Sequence, residues 1–159
     1  MKYKIADISK IVAGGTPSTK IDEYWNGNIL WVTPKDLSLL TTKYIKHTES
    51  MITQTGLNHS SAKMFPKHSI VMSTRAPVGY LAINEIDMCS NQGIKAIICD
   101  NTLVDYNYLY YLLKINIPNI EAKASGSTFK ELSANSLKKL EFEIPDLETQ
   151  KHISNILCH

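Results

Sequence analysis

Ser69-Ile70-Val71-Met72-Ser73-Thr74, then Ala76-Pro77-Val78-Gly79, then Tyr80-Leu81-Ala82-Ile83 form the stretch on which the fold turns. Two apolar runs joined by a Pro/Gly segment read as a strand, a turn and a second strand. After residues 84–92 comes Ile94–Cys99, an apolar run bracketed by Gly93 and Asp100 and read as a third strand. The middle of the chain is therefore β-rich. The expectation is an α+β domain: a highly twisted, mostly antiparallel sheet with flanking helices, followed by the start of a C-terminal helix projecting from it.

Upstream, Asn26-Gly27 signals a turn, and Ile29-Leu30-Trp31-Val32-Thr33 reads as a buried strand stopped by Pro34. Asp36 and Leu37 open a polar excursion that includes a short helix near residues 55–61. Nearer the start, Ile5, Ile8, Ile11 and Val12 are spaced for a short amphipathic helix over residues 5–12, ended by Gly14-Gly15. The polar segment Thr16-Pro17-Ser18-Thr19-Lys20 follows.

Downstream, Asp105 can cap a helix over residues 106–116 with Leu109, Leu112 and Leu113 on its inner face, stopped by Pro118. Ser133 caps a further short helix carrying Leu137, and residues 140–144 alternate as a strand before Pro145. From there a helical stripe runs Leu147, Gln150, Ile153, Ile156, Leu157, which predicts a partner interface. The domain reading is 1–145 as one unit and 146–159 as the start of a connecting helix.

At 159 residues, with 43% hydrophobic and 20% charged residues, the composition is that of one ordinary globular domain. The apolar runs are far short of the ~20 residues a membrane span needs, and the first residues carry no signal core, so a cytoplasmic location is expected. Three cysteines without a C-x-x-C pair and five scattered histidines suggest neither a disulfide framework nor a metal site. Net charge is +2, too low for a non-specific nucleic-acid binder. Positive charge for any DNA must sit on one face or come from a partner.

No nucleotide, cofactor or hydrolase frame is present: no G-x-S-x-G, no Walker G-x-x-x-x-G-K, and no G-x-G-x-x-G after a strand. Asp87, Asp100 and Asp105 lie far apart in sequence, which only weakly argues against a metal-dependent nuclease. A small hydrolase and a protein–protein module stand beside a DNA reader as alternatives.

Read in order, five segments carry a resemblance: Gly14-Gly15-Thr16-Pro17-Ser18, Trp31-Val32-Thr33-Pro34-Lys35-Asp36-Leu37, Ser73-Thr74-Arg75-Ala76-Pro77-Val78-Gly79, Asn91-Gln92-Gly93-Ile94-Lys95-Ala96 and Gly126-Ser127-Thr128. With Pro145, Leu147 and Gln150 opening a helix, the chain resembles the specificity subunits of type I restriction–modification systems. Those subunits carry two recognition domains joined by long helices, each domain reading half of a split DNA site. The resemblance implies a single-domain or half-subunit form that is not an enzyme. S-adenosylmethionine, ATP and magnesium would then belong only to partner subunits. The implied partners are double-stranded DNA, a modification (methyltransferase) subunit, a restriction subunit, and a second copy through the C-terminal helix, with no membrane.

Within that frame, Arg75 can bind guanine O6/N7 or a phosphate, or stand as a surface or ion-paired arginine. Asn91 and Gln92 can read adenine, while Asn91 can equally organise a turn. Thr33, Lys35, Ser73 and Thr74 sit at strand ends, and Lys95 is expected to face solvent or aim at phosphate. Ser127, Thr128 and Lys130, and more weakly Thr16, Ser18 and Lys20, suit phosphate oxygens. Tyr106, Tyr108, Tyr110 and Tyr111 are spaced one and two apart, which spreads them around a helix rather than along one stacking face, so some are expected to pack and others to end wet.

Overall fold

A computed structural model describes residues 1–75, 77–124 and 130–158. The chain opens with β1 (Lys2–Lys4), α1 (Ile5–Ile8) and β2 (Ser9–Ala13). A 3-10 turn at Asp22–Tyr24 leads into β3 (Trp25–Val32), α2 (Pro34–Ser38), β4 (Tyr44–Ile45), β5 (Ser50–Ile52) and α3 (Gln54–Asn58). The central strands are β6 (Ile70–Thr74), β7 (Val78–Asn84), β8 (Cys89–Ser90) and β9 (Ile94–Cys99). Then follow α4 (Tyr106–Ile115), α5 (Ile117–Glu121), α6 (Ala134–Lys138), β10 (Glu141–Glu143) and α7 (Leu147–Leu157).

The fold is α+β and its pairing is mostly antiparallel, but the strands form three sheets rather than one. The largest runs β2-β9-β6-β7-β4, a second runs β5-β3-β8, and β1 pairs with β10. Among the described residues only β4–β7 and β3–β8 are parallel. Strand β6 is buried along its whole length because both faces of the large sheet are covered. Ile70 and Met72 face a helix-side core with Ile97, Leu109, Leu113 and Leu137, while Val71 packs with Val32, Phe65, Ala82 and Ala96 on the other side. Covering on both faces explains why the run 70–74 shows no polar alternation that marks a wet face.

Three local expectations need correction. The helix read over residues 5–12 lasts one turn, and the chain extends from Ser9. A single turn fixes three residues for little hydrogen bonding, whereas extension gives Ser9–Ala13 a full antiparallel register from Ser9↔Cys99 to Ala13↔Lys95. Asn26-Gly27 is not a turn ahead of a strand but a bulge inside β3. The pairing with β5 jumps from Trp25↔Ile52 to Ile29↔Ile52, with Asn26 at φ 61°. Pro118 does not simply stop a helix. Asn116 ends α4, and the proline lies in the first turn of α5, where its missing N–H costs nothing.

The last helix does not project. Gln150 is fully buried and Ser154 nearly so, both against the start of α4, and Ile153 is half-buried against the helix-side core. Tyr108 and Tyr110 are core residues, and Tyr106 stacks on His68 with ring centroids 4.8 Å apart.

Candidate functional site

Four of the five motif segments meet at one end of the large sheet, where β2 and β6 finish and β9 begins. Gly14 lies so close to the turn after β8 that a methyl group there would collide with the Asn91 carbonyl oxygen. The Gly15 N–H donates to Ser90 O at 2.9 Å, and the Trp31 indole N–H donates back to Gly15 O at 2.9 Å. Asn91 N–H donates to Val32 O at 3.1 Å, tying the fourth segment to the second. Gly93 leaves room for Pro34: a Cβ there would sit 2.9 Å from the proline ring. Thr74 N–H donates to Gly93 O at 2.8 Å. The chain after the fifth segment reaches the same end, because Leu132 N–H donates to Thr74 O at 2.9 Å and Glu131 bridges Arg75.

The individual side chains then divide into outward and inward groups. Gln92 is exposed, and its Oε1 accepts the Thr16 hydroxyl. Ser18, Lys20 and Lys130 are exposed; the Ser18 hydroxyl accepts the Lys20 N–H at 3.3 Å. Lys35 is exposed and lies 3.2 Å from Glu49, an ion pair of little energetic weight in water. Arg75 is half-buried at the centre of the group. Ser127 and Thr128 lie outside the described residues.

Thr33, Ser73, Thr74, Asn91 and Lys95 are engaged by the fold itself. Thr33 caps α2, with its hydroxyl accepting Asp36 N–H at 3.4 Å and its own N–H donating to Asp36 Oδ2 at 2.9 Å. Ser73 Oγ donates to Pro77 O and accepts Tyr80 N–H at 2.7 and 2.8 Å, shaping the turn between β6 and β7. Asn91 Oδ1 accepts Gly93 N–H at 2.9 Å, so the turn-organising reading of this residue is the one its geometry expresses.

Lys95 does not face solvent. It is 6% exposed and donates to Thr74 Oγ1 at 3.3 Å. Burial lowers its pKa from the ordinary lysine value; the Glu131 carboxylate opposes that shift and the Arg75 guanidinium adds to it. Glu131 was not expected at this site. It reaches Arg75 only through a long-range backbone pairing, which no local pattern announces.

Two open grooves lie elsewhere. One of about 770 Å³ is bordered by Asn116, Lys123, Lys139 and Phe142, and one of about 670 Å³ by Lys43, Tyr80, Tyr111 and Cys158. Among the described residues no cluster of three His, Cys, Asp or Glu side chains could hold a metal ion, and no helix is long and apolar enough to cross a membrane. The motif junction holds donors and cations on short loops fixed by a packed scaffold, a form suited to a large polyanionic or polar surface.

Residues 1–158 match the family model described as the type I restriction modification DNA specificity domain. The chain is 42% identical over 158 residues to the type I restriction enzyme MjaIX specificity subunit of Methanocaldococcus jannaschii, covering 98% of this chain and 36% of that protein. It is 30% identical to the EcoR124I/EcoR124II specificity subunit of Escherichia coli, covering 96% of this chain and 39% of that one. It therefore spans little more than a third of these relatives. In fold it is similar to the HsdS subunit from Thermoanaerobacter tengcongensis, with a TM-score of 0.76 at 18% identity over 99% of this chain and 36% of that one. The S subunit from M. genitalium gives a TM-score of 0.69, also at 18% identity, over 99% of this chain and 38% of that one.

Proposed function

This chain belongs to the type I restriction modification DNA specificity family, and from that premise we propose that it reads one half of a split site on double-stranded DNA. The observation that supports the reading is the convergence of the motif segments at one sheet end, with exposed Gln92, half-buried Arg75 and a fringe of exposed lysines. A carboxamide such as Gln92 can pair with adenine N6/N7 in the major groove, where all four base pairs are distinguishable. Lys20, Lys35 and Lys130 at the fringe set register through phosphates.

With a net charge of +2, one such unit binds weakly. A second unit linked to it raises affinity by effective concentration. The chain supplies the address and no chemistry. Methylation, cleavage, S-adenosylmethionine, ATP and magnesium belong to the modification and restriction subunits.

Ile156 and Leu157, 61% and 52% exposed on α7, favour a second role as the contact for a partner helix, in a modification subunit or a second copy. The test is selection from a randomised duplex pool at low salt by this chain with a cognate modification subunit. A short fixed half-site that changes in Gln92→Ala supports DNA reading. No enrichment with the partner demonstrably bound leaves the scaffold role as the function.

A further inference from the structure

Away from the motif junction, one polar cluster ties down the end of the last helix. Lys43 precedes β4, and its backbone carbonyl accepts Ile83 N–H at 2.7 Å, which fixes it to the edge of the large sheet. Its Nζ donates to Asn107 Oδ1 at 3.2 Å, to the Tyr111 hydroxyl at 2.9 Å and to Cys158 Sγ at 3.0 Å. An ammonium has three donors, so all are used. The same nitrogen lies 4.7 Å from the Tyr111 ring centre and 5.2 Å from that of Tyr44. Three acceptors and two rings therefore hold a half-buried lysine nitrogen against a sulfur. That sulfur is exposed, borders the open groove of about 670 Å³, and belongs to a free cysteine, so a small oxidant reaches it.

We propose that Lys43 and Cys158 are the site of an oxidative cross-link, in which peroxide converts the thiolate to a sulfenic acid and the Lys43 amine then closes a covalent S–N bond, a sulfenamide. In the first step the Cys158 thiolate attacks one oxygen of hydrogen peroxide and the O–O bond breaks. Sulfur loses two electrons to the peroxide, and the departing hydroxide takes a proton from the Lys43 ammonium. The products are a sulfenic acid, water and a neutral amine. In the second step the amine lone pair attacks sulfur and the S–O bond breaks. Hydroxide leaves with an amine proton as water, and no further oxidant is consumed. The cation that steadies the thiolate thus becomes the nucleophile just as the sulfur becomes electrophilic. Of the two side chains bonded to the sulfur, Lys43 is the nearer, since the Tyr111 hydroxyl stands at 3.6 Å. The bond joins the end of α7 to the strand β4 edge across 115 residues of chain. This modification does not depend on DNA reading.

The test treats the native protein with hydrogen peroxide, then follows intact mass and a tryptic digest. The expected product is two hydrogens lighter than the untreated chain, resists cleavage after Lys43, and joins residues 36–46 to the peptide that begins at His152. A thiol reductant should reverse it, and treatment in urea should not produce it. Lys43→Arg keeps the positive charge but removes the amine. It should yield no cross-link, and its sulfenic acid should be captured by dimedone at Cys158. Cys158→Ser should give neither product. A disulfide to Cys89 or Cys99 loses the same two hydrogens but leaves Lys43 cleavable, so that pattern overturns the proposal. A wild-type protein that accumulates dimedone adduct as readily as Lys43→Arg, or that forms disulfide-linked dimers instead, overturns it as well.

Discussion

The side-chain amide of Gln150 is bonded at both ends to the entry of the α4 helix and its own: its Oε1 accepts the Asp105 N–H at 2.8 Å, and its Nε2 donates to Leu103 O and Pro145 O at 3.0 and 2.9 Å. Asp105 in turn caps α4 through Tyr108 N–H at 3.0 Å and accepts the Ser154 hydroxyl at 3.3 Å. One buried carboxamide thus joins the final helix to the domain.

Gln150→Leu keeps the volume but leaves one N–H and two carbonyls without that partner. The expected loss is about 2–4 kcal/mol of unfolding free energy, read from urea denaturation. A loss below about 0.5 kcal/mol would mean that these groups find water instead.

At the motif junction, Gly14→Ala and Gln92→Ala should separate scaffold from contact. The added methyl group meets the Asn91 carbonyl and the Ser90 hydroxyl, so Gly14→Ala should cost about 1–3 kcal/mol and weaken DNA binding with it. Gln92 is exposed, and Gln92→Ala should shift stability by less than about 0.5 kcal/mol while altering the selected half-site. Thermal melting and pool selection on the same preparations decide between the two behaviours.

Cysteine reactivity should be confined to Cys158. Burial pushes the Cys89 and Cys99 thiols up to about 12. Cys158 is exposed and accepts hydrogen bonds from Lys43 Nζ at 3.0 Å and from the Tyr111 hydroxyl at 3.6 Å, which hold its pKa below the ordinary thiol value. A lowered pKa raises the thiolate fraction at neutral pH, and the thiolate is the species that reacts. Iodoacetamide should therefore label Cys158 alone in the native state, and the labelling midpoint should move to higher pH in Lys43→Met. A midpoint that stays in place would mean that the contact does not form in solution.

Two faces of α7 should respond differently to polar substitution. Ile153→Ser strikes a half-buried contact with the core and should destabilise the domain by about 1–3 kcal/mol. The double change Ile156→Ser with Leu157→Ser falls on exposed positions and should leave the melt unchanged while reducing co-purification with the modification subunit. Undiminished co-purification would place that contact elsewhere on the domain.

Much of the fold was legible because its signals are local. Asp105, Ser133 and the apolar runs 70–74 and 94–99 act on their own neighbourhoods, and the structure uses each as expected. The Thr33–Asp36 capping box was equally local, yet Thr33 reads in sequence as a contact residue because a hydroxyl after a strand suits either role. The site was legible as a set of segments but not as a surface. Strand β6 is covered on both faces, so nothing in its sequence says that Ser73 and Thr74 turn inward. Lys95 misleads for the same reason: a lysine in a strand is ordinarily a mark of a wet face.

The sequence by itself determined which stretches extend, which turn and which helices are capped, because those outcomes depend on groups a few residues apart. Tertiary structure decided which motif side chains remain available to a ligand. That choice depends on how β2, β6 and β9 register against one another and on what covers each face. Both are set by residues such as Ala13, Met72 and Glu131, whose partners lie far along the chain.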